Sequence, residues 1–134
     1  MKKTLSALLI LAVLAIGMSA NFAADTLNNT TDLNKAVSDA QSQNKSILLI
    51  FDQEDCYYCD LLKENTLTND ELISKLNEGY ITVIVDINKQ PQLAAKYSVF
   101  GTPTMIFLDS NQKQIGKIEG YVDANEFLDY IKGI

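Results

Sequence analysis

The stretch Ser46-Ile47-Leu48-Leu49-Ile50-Phe51, with Cys56-Tyr57-Tyr58-Cys59 close behind it, decides the reading of this chain. Ser46 to Phe51 is a near-continuous apolar run of strand length, the pattern of a strand covered on both faces. Beyond the second cysteine, Asp60-Leu61-Leu62-Lys63-Glu64 has the composition of a helix. The cysteines therefore stand at a strand-to-helix junction. A helix start offers unpaired backbone N–H groups and the positive end of a dipole, which together stabilise a thiolate. A two-residue spacer lets the second sulfur reach back to the first. The chain has no other cysteine and no histidine. Redox chemistry, a passive disulfide and half of a zinc site are the three readings of such a pair. A staple across two residues closes a tiny loop and adds little stability, which favours redox chemistry. Zinc needs four ligands, which two cysteines supply only if two chains share the metal. No metal and no other cofactor is expected.

On the N-terminal side, Lys2 and Lys3 precede an apolar segment, Leu5 to Ile16, with small residues at Gly17, Ser19, Ala20, Ala23 and Ala24. That is the pattern of a signal peptide over residues 1–20, with a cut between about Ser19 and Ala24. The segment is short beside the roughly 20 residues that cross a bilayer, so cleavage is preferred to a membrane anchor. Residues 21–31, Asn- and Thr-rich, read as a flexible tail, and 32–134 as one domain. The expected location is extracytoplasmic, where disulfides persist. Removing the first twenty residues takes away two lysines and no acid, so the formal charge of −6 becomes −8; the chain has no arginine. An acidic surface without a basic stripe argues against nucleic acid and anionic membranes as partners. A monomer is expected.

Leu33, Ala36, Val37 and Ala40 predict a first helix from about Asp32 to Gln43. A helix follows the cysteines to about Asn65, and a Thr68/Glu71 capping box opens another that Gly79 stops. Ile81 to Val85 reads as a second buried strand, and Pro91 starts a short helix. Met105 to Leu108 is a third strand, and Gln114 to Glu119 a fourth, antiparallel to it across Ser110-Asn111. Asp123 and Glu126 cap a last helix. The helical crossover makes the first two strands parallel. The expectation is an α/β domain with a central mixed four-stranded sheet flanked by helices.

Gly101-Thr102-Pro103-Thr104 directly precedes the third strand, where a proline cannot donate a ladder hydrogen bond. Together with Cys56-Tyr57-Tyr58-Cys59, Val85-Asp86-Ile87-Asn88, Ala95-Lys96-Tyr97-Ser98-Val99 and Gly120-Tyr121, it gives the chain from Asp32 to Ile134 a pattern that resembles the thioredoxin-like family, in its exported branches. The resemblance implies catalytic roles for three residues: Cys56 as exposed nucleophile, Cys59 as resolving thiol, and Pro103, after a cis bond, packed against the Cys56–Cys59 disulfide. It also implies that the Thr102 backbone receives a substrate strand. Tyr57 and Tyr58 are candidates to face the substrate, or one of them to pack on a helix face. The chain departs from the family pattern at Asp55, usually tryptophan, and in its Tyr-Tyr spacer. The family's buried aspartate falls at Ile50 and its lysine neighbour at Thr82. Asp52, Glu54 or water remain as proton acceptors for Cys59, and Asp55 reads as a helix-start cap.

The leading functional expectation is an exported thiol–disulfide oxidoreductase acting on protein disulfides or thiols, served by an unidentified redox partner. A non-enzymatic binding module with a structural disulfide is the alternative, and a metal carrier a third. Asp52, Glu54, Asp55 and Asp60 all lie within four residues of a cysteine. Like charge disfavours a thiolate, so the disulfide is expected to resist reduction and the protein to act as a reductase.

Overall fold

The structure, a computed structural model, describes residues 25–134. The signal-peptide reading and its cleavage site lie outside these residues. Five strands form one sheet in the order β1-β3-β2-β4-β5: β1 Asn29–Thr30, β2 Ser46–Asp52, β3 Tyr80–Asp86, β4 Thr104–Leu108 and β5 Gln114–Glu119. Helices α1 Leu33–Gln43, α2 Tyr57–Leu61, α3 Asp70–Gly79, α4 Pro91–Lys96 and α5 Ala124–Lys132 complete the domain.

β2 lies in the middle of the sheet. It runs parallel to β3, with Ile47 opposite Ile81 and Asp52 opposite Asp86. It runs antiparallel to β4, with Ile47 opposite Leu108 and Phe51 opposite Thr104. Residues 47–51 are all buried because both faces are covered. Ile47, Leu49 and Phe51 pack with Ala36 and Ala40 of α1 and Ala94 of α4. Leu48 and Ile50 turn the other way, onto Leu62, Leu72, Leu76 and Phe127.

The sequence expectation of four strands is corrected to five. Asn29 and Thr30, read as tail, pair in parallel with Thr82 and Val83. Asn77 of α3 fastens this segment: its Oδ1 accepts from the Asn28 N–H at 2.9 Å, and its Nδ2 donates to the Thr26 carbonyl at 3.0 Å. A two-residue strand held by a distant side chain has no periodicity to betray it.

The helix after the cysteines is also different. α2 ends at Leu61 and one turn of π-helix follows over Leu62–Thr66. Thr66 is fully buried there and donates to the Val122 carbonyl at 2.7 Å. α3 is capped by Asn69, whose Oδ1 accepts from the Leu72 N–H at 3.0 Å. The expected Thr68/Glu71 box is not formed, since Thr68 Oγ1 donates back to the Glu64 carbonyl at 2.7 Å. The Asp123/Glu126 box of α5 is present with both of its reciprocal bonds.

Phe107 centres the second core. Its ring meets Tyr80 at 5.8 Å, Phe127 at 5.9 Å and Tyr130 at 5.3 Å between centroids. Phe107→Ala is expected to cost about 3–5 kcal/mol, from lost transfer energy and the cavity left behind, as read by urea unfolding. Burial, and secondarily the neighbouring Tyr130, push the Tyr80 phenol above its ordinary pKa. A group with a raised folded-state pKa stabilises fully below its unfolded value and stops doing so as pH rises through the folded one. The urea midpoint should therefore hold from pH 7 to 9 and fall above about pH 10. Tyr80→Phe should flatten part of that fall; an unchanged slope would contradict it.

Candidate functional site

β2 and β3 end side by side, and the loop after β2 carries Cys56 to the start of α2. Cys56 and Cys59 are joined by a disulfide. Cys56 has extended backbone and is itself the N-cap of α2: its Sγ accepts from the Cys59 N–H at 3.2 Å. The expectation that Asp55 caps this helix is thus corrected. Asp55 instead makes the turn into it, with a left-handed φ of 56° that aspartate tolerates better than most residues.

The two sulfurs differ in environment. Cys59 is 2% exposed, whereas Cys56 is partly open. The Thr102–Pro103 peptide is cis, as the resemblance implies. Its loop approaches the outer sulfur: the Thr102 hydroxyl donates to Cys56 Sγ at 3.3 Å, and the Thr102 carbonyl oxygen lies 3.6 Å from it. The hydroxyl and the Cys59 N–H are two donors aimed at one sulfur, the environment a thiolate prefers. The loop is braced from both sides. Thr104 Oγ1 donates to the Gly101 carbonyl at 2.7 Å, and the Gly120 N–H donates to the Pro103 carbonyl at 2.9 Å. Gly120 makes that second bond from φ 87°, a conformation few other residues reach without strain.

Pro103 lines a void of about 10 Å³ together with Ile50, Phe51, Asp52, Cys59, Leu62, Lys63 and Ile84. Asp52 and Cys59 are thus brought to one space. Ile50, at the family's aspartate position, contributes only an apolar wall to it. Glu54 and Asp55 lie on the other side of Asp52, along an open cleft with Gln53, Asp60, Lys63 and Asp86.

Charge around the site is more balanced than sequence neighbours imply. Lys63 Nζ reaches Asp52 at 3.1 Å and Asp60 at 3.4 Å. Burial lowers the Lys63 pKa, but its bonds and attraction to Asp52 and then Asp60 outweigh this, and the net direction is upward. Two of the four acidic neighbours are therefore tied to a cation, which sequence distance alone does not show.

Tyr57 and Tyr58 both face outward, 71% and 57% exposed, so neither is a core residue of the helix. Their rings meet edge to face at 5.2 Å, and Tyr58 leans on Tyr121 at 6.5 Å. Phe100, just before the Gly-Thr-Pro loop, is 93% exposed. It was not among the sequence candidates; its signal is a large apolar side chain in a turn, outside any periodic segment.

The thioredoxin-like domain family matches residues 33–134. The thiol:disulfide interchange protein DsbD of Campylobacter jejuni (strain RM1221) is 30% identical over 112 residues, which are 81% of this chain and 19% of that protein. Its counterpart from Vibrio cholerae is 28% identical over 109 residues, 77% of this chain and 18% of that protein. The chain spans about a fifth of the length of these relatives. Among solved structures, a thioredoxin from Thermus thermophilus superposes with a TM-score of 0.73 at 23% identity, covering 81% of this chain and 87% of that one. The C-terminal domain of Neisseria meningitidis DsbD in its oxidised form gives 0.63 at 20% identity, covering 81% and 97%. These two likenesses concern the fold. On the family match over residues 33–134, with the sheet, the C-x-x-C disulfide and the cis-proline loop in place, the chain belongs to the thioredoxin-like family.

Proposed function

We propose that this protein is an exported thiol–disulfide oxidoreductase that works in the reducing direction on protein disulfides. The observation that carries this reading is the asymmetry of the pair: Cys56 is partly open beside the Thr102–Pro103 loop, and Cys59 is buried directly behind it. The Cys56 thiolate attacks a substrate disulfide, and one substrate sulfur leaves as thiolate. The Cys59 thiolate then attacks Cys56 Sγ and expels the second substrate thiolate. Two electrons pass from the dithiol to the substrate, and the Cys56–Cys59 disulfide returns. A redox partner then reduces it again.

Pro103 shapes the loop beside the pair, and the Thr102 backbone receives an extended substrate segment. Tyr57 and Tyr58 give that segment an exposed aromatic surface, to which Phe100 adds. The reducing direction is supported by Glu54 and Asp55, which form no ion pair among the described residues. The donors from Cys59 and Thr102 pull the other way. Export is supported by the sequence of residues 1–20, and the extracytoplasmic location follows from it.

Three measurements test the reading. Iodoacetamide at neutral pH should label the reduced protein first at Cys56, since the thiolate must be reachable to react; early labelling of Cys59 would reverse the assignment. The full chain should catalyse insulin reduction by dithiothreitol and Cys56→Ser should not, while an inactive wild type would favour a binding module with a structural disulfide. Equilibration with glutathione and dithiothreitol should give a potential nearer about −270 mV than −120 mV, and a value above about −180 mV would mark an oxidant instead.

A further inference from the structure

Cys59 poses a chemical problem that its surroundings narrow to one solution. To resolve a mixed disulfide its thiol must lose a proton, yet the side chain is 2% exposed. The void beside it, about 10 Å³, holds one water at most, so bulk solvent does not reach the sulfur there. Besides Cys59 itself, only Asp52 and Lys63 of the residues lining that void carry titratable side chains. Lys63 holds its proton more firmly than an ordinary lysine: burial works against the charge, and Asp52 and Asp60 more than offset it. It is no base at neutral pH.

Asp52 is differently placed. Its Oδ2 pairs with Lys63 at 3.1 Å, while its Oδ1 is buried and has no hydrogen-bond partner among the described residues. An unpaired buried carboxylate oxygen is costly and calls for a physical reason. Asp52 also lines the open cleft on its outer side, with Gln53, Glu54, Asp55, Asp60, Lys63 and Asp86. It is thus a single carboxylate between the void that holds Cys59 and the solvent. On β2 it has the same facing as Ile50 and sits two residues nearer the cysteines.

We propose that Asp52 is the proton acceptor for Cys59, and that Lys63 is the positioning residue that holds it. The assignment rests on the oxidoreductase reading above. In the resolving step the Cys59 S–H bond breaks, and its proton passes across the void to Asp52 Oδ1. The electron pair left on sulfur forms the new bond to Cys56 Sγ. The bond between Cys56 and the substrate sulfur breaks, and the substrate leaves as thiolate, which solvent protonates. Asp52 releases its proton to the outer cleft. When the disulfide is reduced again the proton path runs backwards. The charged groups around Asp52 are Lys63 from the π-turn, Asp86 opposite it on β3, and Glu54 and Asp55 from the loop, with Asp60 paired to Lys63.

The test separates the two chemical steps. The reduced protein is mixed with glutathione disulfide, quenched in acid at intervals, and the glutathionylated intermediate at Cys56 is followed by mass. Its appearance reports attack by Cys56, and its decay reports resolution by Cys59. In Asp52→Asn, resolution at pH 7 should slow by about a hundredfold, the lower range for general-base catalysis, while attack changes less than about twofold. The deficit should narrow as pH rises and hydroxide takes over the deprotonation, and Asp52→Glu should restore part of the rate. Lys63→Gln removes the partner that holds Asp52 Oδ2, so resolution should slow while attack by Cys56 changes less than about twofold. This second variant leaves the strand untouched and keeps the test open should Asp52→Asn fold poorly. Resolution at the wild-type rate in Asp52→Asn, an equal slowing of both steps, or an unslowed resolution in Lys63→Gln would overturn the assignment. A wild-type protein whose Cys56 and Cys59 thiols are not oxidised by glutathione disulfide at all would overturn the oxidoreductase reading, and this one with it.

Discussion

The double-sided burial of β2 is the constraint from which the rest of the molecule follows. A strand with Ile47, Leu49 and Phe51 on one face and Leu48 and Ile50 on the other is stable only between two layers of helices. That requirement recruits α1 and α4 to one side and α3 and α5 to the other. It also places β2 between β3 and β4, since each of its edges needs a ladder. Once that is satisfied, everything after Phe51 emerges at one end of the sheet, beside the end of β3 and the start of β4.

The site is a product of that convergence. Cys56 and Cys59 come from the exit of β2, Pro103 from the entry of β4, and Asp86 from the end of β3. The antiparallel register of Phe51 with Thr104 carries the Thr102–Pro103 loop to the sulfurs, and Gly120 secures it from behind. Polar groups here are few and aimed. One N–H and one hydroxyl face the outer sulfur, the Asp52 residue lines the small void beside the inner one, and a lysine pairs with its carboxylate. The rim is aromatic and acidic, with Tyr57, Tyr58 and Phe100 exposed above a cleft of carboxylates.

Much of this was legible in residue order because it rests on local chemistry. The run from Ser46 to Phe51 names a buried strand; Asp123 and Glu126 name a helix start; a Cys-x-x-Cys behind the strand names the chemistry. The five helices and the four longer strands were readable for this reason, and so was the likeness of the whole to its family. The misreadings share a different cause. Thr68 and Asn69 are both good caps, and Asn69 takes the role while the Thr68 hydroxyl turns back to Glu64. Asp55 and Cys56 competed likewise at α2, where the sulfur became the cap.

By itself the sequence determined the layer architecture, the redox-capable pair and its position at a strand-to-helix junction, since periodicity and spacing are properties of neighbours along the chain. Tertiary structure alone decided the rest. It paired Asn29–Thr30 with β3 through a side chain of α3, brought Lys63 of the π-turn to Asp52 of β2, and opened a shared void between Asp52 and Cys59. Each of these depends on distances between segments far apart in the chain or on the rotation of one helix over another. Charge and burial act through space, falling off over a few ångströms, so which acid is neutralised and which faces a sulfur is fixed only when the chain has folded.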